Sequence, residues 1–507
     1  MQPNSTINLA HRLDSSARQR LRWSDVYREA DLYKAAVRLY TKPLFSWRKA
    51  LFASTDKRDL YDFARSGLHN LAEIHRALTR ESFSFRPAVA LHRNFRGKRR
   101  TLYIYPWEER LVDLLLYRLL SARLHEWFSK NSYAYRLRGF GLDRCQRKIA
   151  GIFAASEFPL FVAKRDIVSY FPSVNHELLL AQLSDLVDPD DYLFHLLGKC
   201  IKFSYEDSGQ TLCATQGIAF GTPTACFLAN IYLTPLDRKF DALSGLHYFR
   251  YADDLLLLAP SRGTIESALA CFDAGLMDLQ LRSKPSHEQN LLLSRAASTA
   301  EGFEPTARIR HLGLEFLADG SVRLSRDKCR KICNLFRFAF RRKRAKLARI
   351  VDLHKRARFV IEVARQVLGQ SVRNVAIIDY YLKHVSDEAQ LRLFDRWLAE
   401  EVLSLSFGGG HKKSYFRLLP YRSLRAMGLP SLVHRRRQIQ HGQIAAPFFV
   451  WKRYQAQKSS RETAARLHPQ SAASSPSFEA VANSSSWEGL VRERRHLSKG
   501  IIEAGPV

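Results

Sequence analysis

The segment HYFRYADDLLLLAP, at residues 247–260, sets two adjacent carboxylates between two apolar runs. Each run has the length of a buried strand, so the pattern predicts a β-hairpin that carries Asp253 and Asp254 at its turn. Burial of adjacent like charges costs several kcal/mol unless a cation or hydrogen bonds compensate for it. The segment therefore predicts two core strands and favours a divalent metal at the acidic turn.

A third carboxylate occurs upstream, in FVAKRDIVSYFPSV at residues 161–174. Asp166 ends an apolar run that predicts a strand, and a turn follows it. A helix N-cap is the alternative role for Asp166, but Asn175 suits that role better because it directly precedes the helical segment HELLLAQL. Three carboxylates at strand ends would complete a two-metal site with ions ~3.5–4 Å apart.

The charge of the chain indicates what it binds. Its 507 residues are 46% hydrophobic, and 80 Lys and Arg against 49 Asp and Glu give a net charge of +31. The hydrophobic share suffices for a large core in about two to four domains. The charge predicts a polyanionic partner, with nucleic acid as the leading candidate. A ribosome-like protein, a membrane-surface protein and a basic solvated face remain as alternatives.

The cysteines and the apolar segments bear on the cellular compartment. The chain has seven scattered cysteines and no CxxC pair, which argues against both a disulfide framework and a zinc site. The first residues contain no apolar stretch typical of a signal peptide, and no window approaches about 18 uncharged apolar residues. These observations predict a cytoplasmic protein without a membrane partner.

The order of helical and strand patterns divides the chain into four predicted regions. Residues 1–85 are an N-terminal helical extension, in which RDLYDFARSGLHNLAEIHRAL predicts one amphipathic helix. Residues 86–325 begin with two strands at about 88–105 and indicate an α+β fold. Basic helices extend over 326–450, and the Ser- and Ala-rich residues 451–507 predict a disordered tail.

Five motifs in a fixed order resemble those of reverse transcriptases, specifically the bacterial enzymes that are similar to group II intron proteins. The motifs are RGKRRTLYIYPWEERLVDLLLYRLL, RDIVSYFPSV, GIAFGTPTACFLANIYL, YADD and HLGLEFLADGSVRLS, spread over residues 85–325. The resemblance implies a right-hand polymerase with fingers and an antiparallel palm sheet in 86–325, a helical thumb in 326–450, and helical extensions at both ends. It implies an RNA-directed DNA polymerase, a nucleotidyltransferase that uses dNTPs.

The resemblance also assigns roles to individual residues. It implies that Asp166, Asp253 and Asp254 are catalytic and bind two Mg²⁺ ions, with Mn²⁺ as an alternative. Phe171 would lie beneath the sugar and exclude a 2′-hydroxyl, and His287 rivals Lys284 as the residue near pyrophosphate. The implied dNTP-binding residues are Lys98, Arg100, Phe171, Gly221 and Lys284; the primer grip is His311, Leu312 and Gly313; and nucleic acid is held by Arg337, Arg341, Arg342, Lys343 and Arg344.

The sequence departs from the family pattern in the third motif. The family usually has Gln before the second glycine and Ser-Pro four residues beyond it, whereas this chain has Phe220, Ala225 and Cys226. The loop therefore loses polar contacts to nucleotide and template. This departure puts template reading in doubt and leaves a template-independent or protein-assisted DNA polymerase as an alternative.

Domains and signatures that the sequence lacks indicate which group of reverse transcriptases it resembles. The sequence contains no recognisable endonuclease module, integrase or ribonuclease H, and the retron signatures NAxxH and VTG are absent. What remains looks like the unknown-group and abortive-infection enzymes of anti-phage defence, which commonly work with a non-coding RNA or a second protein encoded nearby. The rivals are a non-catalytic, maturase-like RNA-binding protein and an RNA-directed RNA polymerase. Template, primer, a homo-oligomeric state and the role of residues 410–440 stay open.

Overall fold

The computed structural model describes the chain in seven stretches. They are residues 19–41, 56–95, 97–136, 139–295, 298–369, 378–410 and 414–443. The tail predicted to be disordered, residues 451–507, lies outside the described residues. The chain divides into two compact units, which differ from the four predicted regions. The first is Met1–Phe128, Ser169–Thr234 and Leu279–Leu281, and the second is Ser129–Val168, Pro235–Asp278 and Arg282–Val507.

The first unit contains a four-stranded sheet in the order β2-β1-β4-β5. Strands β1 (Ala88–Phe95) and β2 (Lys98–Ile104) form an antiparallel hairpin, which confirms the two strands predicted around the basic turn. Strand β4 (Ser204–Asp207) runs parallel to β1, and β5 (Gln210–Cys213) is antiparallel to β4. Tyr103, Phe203 and Tyr205 make close aromatic contacts with one another beside this sheet.

The other regular elements described in the first unit are helices. The single amphipathic helix predicted over RDLYDFARSGLHNLAEIHRAL is wrong, because one helix ends before Ser66 and the next begins at Gly67, two residue types that are unfavourable in a helix interior. The helices are α1 (Trp23–Val26), α2 (Glu29–Thr41), α3 (Leu60–Arg65), α4 (Gly67–Thr79), α5 (Trp107–Arg123), α7 (Tyr170–Ser173), α8 (His176–Ser184), α9 (Tyr192–Ile201) and α10 (Pro223–Asp241), whose last residues belong to the second unit.

The second unit contains a five-stranded sheet in the order β6-β7-β3-β8-β9, antiparallel except for the β8–β9 pair. Leu255–Leu258 in β7 are fully buried. Their continuous apolar run fits a strand covered on both faces, and helix α11 (Arg262–Asp278) packs on β3 and β7. The strands are β3 (Leu160–Asp166), β6 (His247–Tyr251), β7 (Asp254–Ala259), β8 (Gln289–Leu293) and β9 (Glu304–Thr306).

A three-stranded sheet and a set of helices complete the second unit and share one hydrophobic core with the larger sheet. A helix begins at Arg326 as predicted, but the basic segment breaks into two helices at Lys343. Residues 378–382 are also helical. The remaining elements are α6 (Leu142–Ala155), β10 (Arg308–His311), β11 (Leu314–Leu317), β12 (Val322–Leu324), α12 (Arg326–Arg342), α13 (Arg344–Ala348), α14 (Leu353–Gly369), α15 (Glu388–Ser406), α16 (Tyr415–Leu418), α17 (Tyr421–Ala426) and α18 (Leu432–Gln440).

A helix that crosses a bilayer needs about 18 or more residues of largely apolar sequence. In the seven described stretches, no helix combines the length and the apolar character needed to cross a bilayer.

Candidate active site

The two adjacent aspartates lie at a tight hairpin between β6 and β7, as the sequence predicts. Tyr251 pairs with Asp254, so Ala252 and Asp253 form a two-residue turn. Ala252 has a φ of 62° and Asp253 does not have a positive φ, which is the pattern of a type II′ turn. The turn ends two strands whose central residues are buried, and it brings both carboxylates to the same edge of the sheet.

Asp166 reaches the same edge from the neighbouring strand. It is the last residue of β3 and pairs directly with Asp254 of β7. Residues opposite one another in an antiparallel pair have Cα atoms about 4.5–5.5 Å apart. The predicted strand end at Asp166 is confirmed, and Asn175 is the N-cap of α8 as predicted, since its side chain accepts a hydrogen bond from the Leu178 amide.

The pKa of Asp254 is raised to about 7. Burial of the carboxylate is the main cause, Lys164 opposes it, and the nearby charges of Asp166 and Asp253 add smaller increases. The side chain still keeps 43% of its surface exposed, so it remains accessible to an ion. Carboxylate oxygens are the donors that Mg²⁺ binds in nucleotide-handling sites. The donor chemistry and the charge of these carboxylates therefore suit a divalent cation.

Asp166 contacts both residues that the sequence analysis names as rivals for the place near pyrophosphate. The Nδ1 atom of His287 lies 2.7 Å from Asp166 Oδ2, and the Nζ atom of Lys284 lies 3.5 Å from the same oxygen. The Lys284 amide donates to the Asp166 carbonyl at 2.9 Å, which fixes the backbone of this loop beside the strand end. Both rivals named from the sequence thus lie at one carboxylate. Within the described ranges, no group of three or more His, Cys, Asp or Glu side chains is already arranged to hold a metal ion.

A buried ion pair supports the acidic turn, and the sequence reading missed it. Arg250 donates from Nε to Asp237 Oδ1 at 2.7 Å and from Nη2 to Asp237 Oδ2 at 2.5 Å, and both side chains are fully buried. The Nη1 atom of Arg250 also donates to the carbonyl of Ala252 at 3.1 Å. Helix α10 therefore holds the backbone of the turn through Arg250. The sequence feature that could have indicated this ion pair is Arg250 itself, a charged residue within a largely apolar strand.

The predicted primer-grip residues lie at a second tight turn. Leu312 has a φ of 47° and Gly313 a φ of 83°, so His311, at the end of β10, precedes a type I′ turn. The His311 side chain is fully buried, with Nδ1 3.5 Å from Asp254 Oδ1. Burial lowers its pKa to about 3, with a smaller effect from Lys164, so the imidazole is neutral. The His311 ring therefore points into the core, and Leu312 and Gly313 are the two residues of the turn.

Three predicted dNTP-binding residues, Phe171, Arg100 and Gly221, lie in the first unit, and two of them are close to Phe220. The Phe171 ring contacts the Phe220 ring edge to face at 5.2 Å, and the Arg100 guanidinium lies 5.6 Å from the centre of the Phe220 ring. Gly221 has a φ of 115°, and a Cβ there would lie 3.4 Å from the Tyr103 carbonyl. Phe171 itself is only 8% exposed. Lys98 begins β2, and its side chain lies outside the described part of the structure.

The comparison with protein families covers this same stretch of chain. Residues 97–334 match the model described as reverse transcriptase (RNA-dependent DNA polymerase). This stretch therefore matches a reverse transcriptase domain, the domain of RNA-directed DNA polymerases, which are nucleotidyltransferases. The mixed helices and sheets described above are those of a right-hand polymerase fold. The predicted fold class is confirmed.

Solved structures similar to the chain include telomerases. The apo telomerase from Candida Tropicalis truncated from its C-terminal domain has a TM-score of 0.37 and 12% identity, covering 51% of this chain and 60% of that one. The telomerase from Candida albicans in complex with the TWJ fragment of telomeric RNA has a TM-score of 0.42 and 10% identity, covering 74% and 71%. The chain thus spans about three fifths of the first of these. No curated protein matches the chain.

The predicted nucleic-acid-binding residues lie just beyond the reverse transcriptase domain, at the end of α12 and the start of α13. Arg337 donates to Glu401 at 2.8 Å and lies over the Trp397 ring, so it joins α12 to α15. The Arg342 guanidinium lies 4.4 Å from the centre of the exposed Phe338 ring. The others, Arg341, Lys343 and Arg344, are exposed.

Proposed function

We propose that the chain synthesises DNA on an RNA template by nucleotidyl transfer at the edge where Asp166, Asp253 and Asp254 meet. The pairing of Asp166 with Asp254 beside the acidic turn supports this most directly, together with the pKa of Asp254, which burial and the neighbouring carboxylates raise to about 7. These aspartates would hold the metal ions. Bound Mg²⁺ would supply the activation of a 3′-hydroxyl and the stabilisation of the leaving pyrophosphate.

The protein's own groups orient the reactants. Arg250 holds the Ala252 carbonyl and thereby fixes the direction of the neighbouring carboxylates. Lys284 and His287, both in contact with Asp166, are proposed to hold the proton that the pyrophosphate takes up. In the first unit, Arg100 is proposed to bind the triphosphate through its bidentate fork and Phe171 to lie beneath the sugar, favouring dNTPs.

An observation in the first unit favours a second candidate, a template-independent or protein-assisted DNA polymerase. Phe220 stands where the family usually has Gln, and its ring lies between Phe171 and Arg100. A phenyl ring cannot hydrogen-bond to a base or a template strand as an amide would. The two candidates differ in one measurement, the dependence of product sequence on an added template.

The proposed biological role is anti-phage defence in the cytoplasm, carried out through the DNA product and together with a non-coding RNA or a second protein. Its support is the resemblance of the motifs to defence-associated lineages. Cells that carry the gene should resist some phages, and Asp166→Ala should remove the resistance. Protection that survives Asp166→Ala would favour the maturase-like RNA-binding alternative.

The decisive biochemical test is Asp254→Asn, with Asp253→Asn beside it. Each variant should abolish Mg²⁺-dependent dNTP incorporation because it removes a ligand charge, while its melting temperature should stay level or rise because carboxylate repulsion is relieved. Asp278→Asn, an exposed aspartate of the same unit that pairs with Lys239 at 2.6 Å, is the matched control and should keep full activity. Undiminished incorporation by Asp254→Asn would overturn the catalytic assignment.

A further inference from the structure

A groove lies among the C-terminal helices, beyond the reverse transcriptase domain that ends at residue 334. Its volume is about 440 Å³, within the range of ligand sites in proteins. Arg392, Asp395 and Arg396 line one side and share one face of α15, while Phe416 of α16 and Tyr421 of α17 line the other. We call these five residues the C-terminal groove.

The two arginines of the C-terminal groove are available to an anion. Arg392 is 72% exposed and Arg396 is 61% exposed. Each pairs with a carboxylate one turn away on its own helix, Glu388 at 3.4 Å and Glu400 at 3.0 Å. Exposed pairs of this kind contribute little and exchange readily with another anion. The two guanidinium groups can therefore turn to phosphates without breaking a buried contact.

The carboxylate of Asp395, which also lines the groove, does not prevent an anion from binding there. Asp395 is largely buried and accepts hydrogen bonds from the Ser431 hydroxyl at 2.5 Å and the Leu432 amide at 2.6 Å. Its charge is thus compensated within the helical core. The segment that closes the groove is itself basic, since residues 414–443 contain six arginines and neither Asp nor Glu. The local field favours a polyanion.

The aromatic side of the groove suits a base. Tyr421 is 40% exposed, and the neighbouring Leu418 and Arg417 are also exposed. Within the described residues, neither Phe416 nor Tyr421 stacks on another aromatic ring. Unstacked bases bind to such rings regardless of sequence, and arginines beside them track the phosphates. An acidic peptide would satisfy the arginines and leave the rings without a planar partner.

We propose that the C-terminal groove binds single-stranded nucleic acid, with a base against Phe416 and Tyr421 and the adjoining phosphates on Arg392 and Arg396. The site goes beyond the proposed polymerase reaction and needs none of its aspartates. An RNA strand and the DNA product share this chemistry, so the experiment includes both.

The test measures the affinity of the full chain for fluorescent single-stranded RNA and DNA oligonucleotides as salt is varied. Phe416→Leu together with Tyr421→Leu should weaken binding roughly 5- to 150-fold for each base lost from a ring. Arg392→Gln together with Arg396→Gln should lower the salt slope by about 1.4. The matched control is Arg262→Gln, an exposed arginine of the same unit that pairs with Glu266 one turn away at 2.7 Å. It should change neither quantity.

A second measurement keeps the proposal testable if a variant unfolds. Oligonucleotides that carry 4-thiouridine or 4-thiothymidine should crosslink, in the wild-type chain, to Phe416, Tyr421 or a residue beside them. A stronger crosslink with RNA would identify a template or guide strand, and a stronger one with DNA would identify the product. Crosslinks confined to other parts of the chain would overturn the proposal, as would groove variants that bind like Arg262→Gln, or displacement by poly-glutamate but not by oligonucleotide.

Discussion

At the scale of single residues, the ring pair formed by Phe171 and Phe220 bears on the choice between dNTPs and NTPs. Phe171 is almost buried and meets Phe220 edge to face, a geometry that stabilises a ring pair by about 0.5–1.5 kcal/mol beyond its burial. A ring held this firmly can exclude a ribose hydroxyl sterically while offering it no hydrogen bond. The contact with Phe220 therefore supports the proposed role of Phe171 as a gate for the sugar.

Phe171→Ala should admit NTPs while leaving the metal-binding residues unchanged. The ratio of kcat/KM for a dNTP to that for the matching NTP should fall at least about tenfold, which requires only ~1.4 kcal/mol of lost discrimination. Phe63→Ala is the matched control, because it removes a buried ring from the same unit, one that packs against Trp107 and not beside the position assigned to the sugar. An unchanged ratio in Phe171→Ala would place Phe171 in the core alone.

The sequence predicted the three aspartates because each follows or precedes an apolar run whose length fixes a strand end. It could not predict their support. Arg250 and Asp237 are 13 residues apart and lie on a strand and a helix, so only the tertiary fold brings them together. His311 was placed correctly at a turn, yet its burial beside Asp254 depends on how the smaller sheet packs. Pairings between distant elements carry no local pattern.

At the scale of elements, the Asp237–Arg250 pair joins helix α10 to the hairpin. Asp237→Ala should lower the free energy of unfolding by about 3–5 kcal/mol, because it leaves the charge of a buried guanidinium without its carboxylate. Asp237→Leu combined with Arg250→Met should recover much of that stability, since apolar residues of similar volume often replace buried ion pairs. The double variant should still synthesise DNA poorly, because nothing then holds the Ala252 carbonyl.

Urea denaturation and dNTP incorporation, measured on the same preparations, separate these two effects. Stability that returns without activity would support the positioning of the turn by Arg250. Activity that returns together with stability would show that the pair serves only the core.

Helix α10 also depends on a buried carboxylate at its start. Asp113 accepts a hydrogen bond from the Thr224 amide at 3.1 Å, and burial raises its pKa to about 7. The usual value in an unfolded chain is about 3.9, so the folded state binds the proton more tightly and loses stability as the pH rises between about 4 and 7. Asp113→Asn should remove this loss.

From pH 5 to pH 8, the wild type should therefore lose up to about 3 kcal/mol of unfolding free energy relative to Asp113→Asn, with the difference complete near pH 7. Urea denaturation of both proteins at the two pH values measures it. Leu115→Val, at a buried neighbour of Asp113 on the same helix that carries no titratable group, is the control and should give a difference that does not vary with pH. A constant difference at Asp113 as well would contradict the raised pKa.

At the scale of the whole molecule, the order of motifs predicted the α+β class and the polymerase fold, while the division into units did not follow from it. Both units combine segments that are distant in the sequence, and the first includes Leu279–Leu281. Charge is the property that belongs to the whole chain. Its net value of +31 is concentrated in places such as residues 326–349, which hold eleven basic residues and one acidic residue.

That charge predicts how binding to nucleic acid responds to salt. If the protein makes ~6–10 phosphate contacts, the affinity for a primer–template duplex should fall on the order of 10³–10⁵-fold between 50 and 200 mM salt. Titrations at several salt concentrations give the slope of log affinity against log salt concentration.

Arg341→Gln together with Arg342→Gln should lower this slope by about 1.8, since each lost phosphate contact with a duplex lowers the slope by about 0.9. Asp254→Asn removes no phosphate contact and should keep the wild-type slope. A flat salt response in the wild type would mean that the excess of basic residues serves another purpose, and the basic helices would then lose their assignment as the nucleic-acid grip.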